Sequence, residues 1–478
     1  MKSEIRDNII WKINQQPGMQ DDLWTEITPD LPKSKGIYLK DLGSNKPYLD
    51  LNGFFGSAPL AYDHPALKSK EFRKKLISAA TYRPSLADFW TQEMAEFVDA
   101  FRRVALPAYP HHFDHFFFIE GGSLAIENAL KAAFDWKVRT NMKKGLFRTA
   151  SGEVYDPQED LQPLGTKVLG FEHAFHGRSG YTLSLTHTKP EKYKYFPKFP
   201  WLRSIEPPVL KYDNHGKVAN RDEVERLCRE AIAAVRAQLT EHAHDIGAII
   251  IEPIQCEGGD RHIPSEFFVE LRKLANEFDA ILIYDEVQTG IGATGKMWAH
   301  EYFGIEAKPD IIAFAKKAQV SGIIADSERF AIIPENVFAN TDASKSRINS
   351  TWGGNPADMV RSTVILETIA KENLVSNAAN TGKYFLKGLC SLCQEFPKTL
   401  SNPRGLGLLL AVDINPAVDS ANYKMWQQLR KEHVLSLICG KNTVRFRPHL
   451  DISHADVDEA ISRLHKAVQS FEKKYRIK

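Results

Sequence analysis

The sequence predicts an α/β protein built on a mostly parallel central sheet. Short apolar runs recur without polar alternation, as strands buried on both faces require. Helical patterns separate several of these runs, the signature of βα units. The length sets the scale: 478 residues exceed the roughly 250–300 at which one core stops growing. We expect an N-terminal segment over 1–75 that contributes to a small domain, a large domain over 76–345, and a C-terminal α+β part over 346–478 that completes the small one.

The elements follow in order. Residues 1–50 are polar and punctuated by proline, with a hairpin over 37–41 and 47–51 turning at Gly43-Ser44-Asn45. Gly53 to Pro59 is a small-residue loop, and 66–103 reads as helix broken near Pro84. The apolar runs lie at 115–119, 166–171, 246–251, 280–284 and 310–314, with helical patterns at 124–138, 221–239 and 266–278. Residues 143–162 read as an exposed polar loop. The tail gives helix over 357–397, strands over 405–413 and 444–446, and a last helix over 454–474.

Composition excludes several functions. Lys and Arg total 62 against 60 Asp and Glu, so no large field draws in nucleic acid or an anionic membrane. No stretch reaches the ~18 apolar residues that span a bilayer. Met1–Trp11 has no signal-peptide core. Five cysteines are too few for a disulfide framework, which points to a reducing, cytoplasmic compartment. Cys390 and Cys393 form a lone C-x-x-C without a second metal-ligand pair, and read as buried thiols on a helix. His111, His112 and His115 straddle a strand start, so their side chains alternate faces and do not converge on a metal.

In such sheets ligands sit beyond the carboxyl ends of the strands, so the residues after each run matter most. Gly121-Gly122-Ser123 opens a helix, whose free N–H groups and hydroxyl make an anion cradle. Glu172 to Arg178 crowds histidines, an aromatic ring and an arginine into one loop. Glu252 and Asp285 each follow a buried run, where a carboxylate needs a partner. Lys316-Lys317 follows the last run, where burial lowers an amine's pKa and makes it nucleophilic. Together these fit pyridoxal phosphate. Its aldehyde needs a lysine, its pyridine nitrogen a carboxylate, and its phosphate a helix N-terminus.

The motifs then become familiar. Gly121-Gly122-Ser123, Phe175-His176-Gly177-Arg178, Glu252-Pro253-Ile254-Gln255, Tyr284-Asp285-Glu286-Val287-Gln288-Thr289-Gly290 and Lys316-Lys317 resemble the class III aminotransferases, from about Tyr38 to the C-terminus. Glu257-Gly258-Gly259-Asp260, Lys317-Ala318-Gln319-Val320 and Asn349-Ser350-Thr351-Trp352-Gly353-Gly354-Asn355 resemble most the lysine 6-transaminase branch, with 4-aminobutyrate transaminases as the near alternative. The resemblance implies the fold-type-I architecture, a homodimer with shared sites, and transfer of the ε-amino group of L-lysine to 2-oxoglutarate. The products would be L-glutamate and 2-aminoadipate 6-semialdehyde, which cyclises to a piperideine carboxylate. A non-catalytic pyridoxal-phosphate-binding module is the alternative of another class.

The resemblance also implies roles. Lys317 carries the cofactor and moves protons; alternation allows only one of Lys316 and Lys317 to face it, and the family pattern favours the second. Asp285 pairs with the pyridine nitrogen, Gln288 with the phenolic oxygen, and Phe175 stacks on the ring. Gly122 and Ser123 hold the phosphate, joined by Thr351 of the other subunit. Arg178 binds the far carboxylate and Arg445 the α-carboxylate of 2-oxoglutarate. Arg447, two positions along the same strand, is the alternative binder. Glu252 masks Arg445 while an ω-amine is bound. Cys256 and Ala315 depart from the usual small residues at their positions.

Overall fold

The first strands formed are the expected hairpin: β1 (Tyr38–Lys40) pairs antiparallel with β2 (Pro47–Asp50). This computed structural model describes residues 27–477 apart from 88, 110, 340–345 and 416–417. The signal-peptide reading of Met1–Trp11 and the start of the N-terminal segment lie outside the described residues.

The large sheet comprises β3 (Phe113–Phe118), β4 (Lys167–Phe171), β5 (Leu202–Ile205), β6 (Ile246–Ile251), β9 (Ile281–Asp285), β10 (Ile311–Phe314) and β11 (Gly322–Asp326). Between β6 and β9 the chain forms a separate antiparallel ribbon, β7 (Ile254–Gln255) with β8 (Arg261–His262). The spatial order is β3-β11-β10-β9-β6-β4-β5. Only β11 runs against its neighbours; the other pairings are parallel. The five apolar runs all form strands of this sheet. Two further strands lack a long apolar run. β5 is a four-residue edge strand, and the apolar part of β11 is only Ile323-Ile324-Ala325 between Gly322 and Asp326.

Burial on both faces follows from the side-chain period of two. Ala248 and Ile250 of β6 pack with Ala125, Ala129 and Ala133 of the helix Gly122–Lys143. Ile249 and Ile251 point the other way, into Val235, Leu239, Phe267 and Leu271 of the helices Arg221–Glu241 and Ser265–Glu277. One helix layer covers each face, so β6 is buried along its whole length.

The second half of the chain makes a smaller layer. β12 (Leu400–Leu406), β13 (Leu409–Ile414), β15 (Leu437–Cys439) and β16 (Thr443–Phe446) form a sheet in the order β12-β13-β16-β15. The intervening β14 (Val434–Leu435) pairs with β2, so both ends of the chain share one sheet. The helix expected over 357–397 is two helices, Pro356–Lys371 and Leu374–Glu395, broken at Asn373 with φ 54°. Cys390 and Cys393 are buried on the second, as free thiols. The last helix, His454–Tyr475, starts at a capping box of Ser453 and Asp456. No described helix is long and apolar enough to cross a membrane.

Candidate active site

β3, β4, β6, β9 and β10 run in the same direction, so the loops leaving their carboxyl ends gather at one edge of the sheet. After β3 the chain turns at Gly121 (φ 100°) into the N-terminus of Gly122–Lys143. A Cβ on Gly122 would stand 2.9 Å from Val287, two residues past Asp285, so glycine lets the helix end close on the β9 loop. The Ser123 hydroxyl lies 2.5 Å from Ser179 Oγ and 2.8 Å from Thr182 Oγ1. Gly177 (φ 130°) allows this, because a Cβ there would overlap Ser123 Oγ at 2.2 Å.

Asp285, at the end of β9, is 6% exposed. One of its oxygens lies 2.8 Å from His176 Nδ1, and the other accepts from Val287 N at 3.1 Å. His176 is itself fixed by its main-chain N–H, which donates to Thr186 Oγ1 at 3.1 Å. The carboxylate is thus aimed by a buried ring.

Glu252 follows β6 and is also buried. Its two oxygens accept from Phe175 N (2.9 Å) and Cys256 N (3.2 Å), tying two loops together. Burial, then repulsion from Asp285, raises its pKa well above the usual carboxylate value. Glu252 is held by these main-chain donors, and the carboxylate paired with Arg445 is Glu257, with Oε2 2.6 Å from Nη2. Both main-chain donors point at Glu252 from its own neighbourhood, whereas Glu257 is carried to β16 by the main-chain bond from Gly440 N to its carbonyl. Gln288 Oε1 accepts from Arg445 Nη1 at 3.4 Å.

The lysine pair follows β10, which ends at Phe314. Lys317 is buried, and its amine donates to the carbonyls of Ala58 (3.1 Å) and Pro448 (3.5 Å). The charges around this amine include Arg447, Asp451, Asp50 and Lys316. Lys316 is half-buried and donates to Phe55 O at 3.3 Å, with Arg445, Cys256, Asp285 and Glu257 among the charges around it. Its backbone is left-handed, φ 47°, so strict strand alternation does not run through the pair. That backbone costs roughly 1–2 kcal/mol for a side chain with a Cβ. Burial lowers both amines, with Arg445 assisting at Lys316 and Arg447 bringing Lys317 to about 7.

Arg447 is settled by its partner. It forms an ion pair with Asp260 in which both groups are buried, and donates to Leu410 O at 3.3 Å and Phe446 O at 2.9 Å. Nothing about it can be released cheaply, since breaking a buried pair costs about 3–5 kcal/mol. Arg178 is exposed; burial lowers the pKa of Lys192, and the charge of Arg178 adds to that. Phe175 is half-buried, with the Lys192 amine 4.8 Å above its ring. Thr351 is exposed.

Sequence reasoning gave no role to Glu257, His176 or Lys192, which the fold brings to these loops. His176 and Glu257 stood inside quoted motifs, and the need of any buried Asp285 for a partner pointed to a neighbouring histidine. Lys192 carries no local signal; only the fold brings it to Phe175 and Glu257.

Residues 24–468 match the family described as Aminotransferase class-III. The L-lysine-epsilon aminotransferase of Mycobacterium tuberculosis is 44% identical, over 93% of this chain and 92% of that one. The Streptomyces clavuligerus enzyme of the same name is 41% identical over 93% and 91%. The mitochondrial 4-aminobutyrate aminotransferase of Sus scrofa is 31% identical over 87% and 80%. The solved lysine aminotransferase from M. tuberculosis, in the internal aldimine form, superposes with a TM-score of 0.87 at 42% identity, covering 98% of this chain and 99% of that chain. The chain therefore belongs to the class III aminotransferases, enzymes of the fold-type-I architecture that depend on pyridoxal phosphate.

Proposed function

We propose that this protein transfers the ε-amino group of L-lysine to 2-oxoglutarate, forming 2-aminoadipate 6-semialdehyde and L-glutamate. The observation that carries this reading is the Arg445–Glu257 pair beside Lys316 and Asp285. An ω-amine brings no carboxylate next to the reacting carbon, so a bare arginine there would be an unpaired charge. Glu257 neutralises it. 2-Oxoglutarate brings an α-carboxylate, which can replace Glu257 on the guanidinium fork. The identity to the lysine-specific relatives exceeds that to the 4-aminobutyrate enzyme.

The donor set fits pyridoxal phosphate: a cradle at Gly122 that a Cβ would fill, clustered hydroxyls, a buried carboxylate and a depressed amine. When bound, the cofactor supplies an electrophilic carbonyl for amines and a ring that withdraws electrons. Lys317 would hold it covalently, and the released amine would move the proton between the donor's carbon and the cofactor. Asp285, aimed by His176, would keep the pyridine nitrogen protonated. Gly122 and Ser123 would hold the phosphate, with Thr351 of a second subunit. Phe175 would stack on the ring and Gln288 contact its phenolic oxygen. Arg178 would bind the carboxylate of lysine far from the reacting amine. A homodimer is supported by exposed aromatic surface, Tyr82 at 74%, Trp90 at 91% and Trp352 at 51%. We place the enzyme in the cytoplasm from its cysteine usage.

The test is the visible spectrum of the holoprotein. L-Lysine alone should bleach the cofactor band and 2-oxoglutarate restore it, in ping-pong order. A band that responds to 4-aminobutyrate but not to lysine would keep the family and replace the donor.

A further inference from the structure

We propose that Lys192 is a positioning residue for the acceptor half of the reaction: it holds Glu257 when that carboxylate leaves Arg445. The inference rests on the dual-substrate reading above.

Glu257 is shared between two cations. Its Oε2 lies 2.6 Å from Arg445 Nη2 and its Oε1 2.5 Å from Lys192 Nζ. The two cations differ in setting. The Arg445 side chain is 2% exposed and sits on β16. Lys192 is 13% exposed and ends a short 3-10 turn, Pro190–Lys192, in a segment rich in exposed residues. One partner is rigid and deep, and the other lies nearer the surface on a four-carbon stem.

An incoming α-carboxylate must displace Glu257 from Arg445. A carboxylate that loses a buried partner pays a large desolvation cost unless it keeps another. Lys192 is already bonded to the opposite oxygen, so Glu257 can rotate off the guanidinium without becoming unpaired. The Lys192 amine also sits 4.8 Å over the Phe175 ring, which fixes the place to which the carboxylate retreats. Arg178 contributes positive charge on the same side, favouring an anion there.

Two other settings of Lys192 are distinguishable. It could touch the acceptor's distal carboxylate directly, or it could only pack on Phe175. The experiment measures binding of glutarate, the acceptor skeleton without the reacting oxo group, to the holoprotein by calorimetry. Lys192→Met preserves the stem and removes the charge. It should weaken glutarate about tenfold, because Glu257 then stays locked on Arg445. Glu257→Gln alone should tighten glutarate. In the Glu257→Gln background Lys192→Met should change affinity less than about twofold. Single-turnover spectra supply a second readout: the KM for 2-oxoglutarate should rise in Lys192→Met while that for the amino donor stays within about twofold. An equal tenfold loss in the Glu257→Gln background would overturn the proposal and make Lys192 a direct substrate contact. No change in the otherwise wild-type background would overturn it as well. If the wild-type holoprotein binds no glutarate and takes no 2-oxoglutarate, the functional reading itself fails, a result separable from any behaviour of Lys192.

Discussion

Two arginine–carboxylate pairs lie at the end of β16, and they use the same residue types to opposite ends. Arg445 pairs with Glu257, and Arg447, two residues on, pairs with Asp260. Arg447 and Asp260 are 1% and 2% exposed, and Arg447 also donates to two main-chain carbonyls. Glu257 is 21% exposed and is bonded to a second cation, Lys192. The deep pair is held in place by its burial, which is what a structural device needs. The other can exchange partners, which is what a site serving two substrates needs.

The largest effect is expected at the lysines. Lys317→Ala should lower the rate of the lysine half-reaction by about a thousandfold or more, as loss of a covalent and proton-moving group does. Lys316→Met should leave the cofactor band and its response to lysine in place; stopped-flow absorbance distinguishes the two. The arginine partners come next. Asp260→Asn should destabilise the fold by about 3–5 kcal/mol by leaving Arg447 buried and unpaired, seen in denaturant unfolding, with donor preference unchanged. Glu257→Gln should leave stability nearly intact and reduce the preference for L-lysine over L-glutamate as donor by about tenfold. If Asp260→Asn shifts donor preference instead, the division between the two pairs is wrong.

The smallest effect concerns pH. Lys317 has a folded pKa of about 7 against an ordinary 10.5. Between these values the unfolded chain binds more protons, so this group's contribution to stability rises with pH. The stability of the wild type relative to Lys317→Met should grow by about 1 kcal/mol from pH 7 to 8 and stay flat well below 7. A difference that falls over that interval would place the amine in a polar, ion-paired setting.

Much of this architecture could be read from residues alone. The run Ile246–Ile251 announces a strand buried on both faces, and the positions of Asp285, Gly122 and Phe175 beyond strand ends follow from the parallel sheet. What escaped reading depends on backbone detail and on distant partners. The turn after β10 depends on one left-handed residue, Lys316, which period-two reasoning cannot anticipate. The masking carboxylate turned on which of Glu252 and Glu257 reaches β16, a contact spanning 188 residues between Glu257 and Arg445. β11 was hidden because three apolar residues are too short a run to stand out.

The central claim is that Lys317, the buried member of the lysine pair, carries the reactive amine. Borohydride reduction of the holoprotein fixes the cofactor to the lysine that holds it, and peptide mass spectrometry then locates the label. The account predicts the label on Lys317, with Lys316 unmodified. A label on Lys316 would contradict it and move the reactive amine to the neighbouring residue.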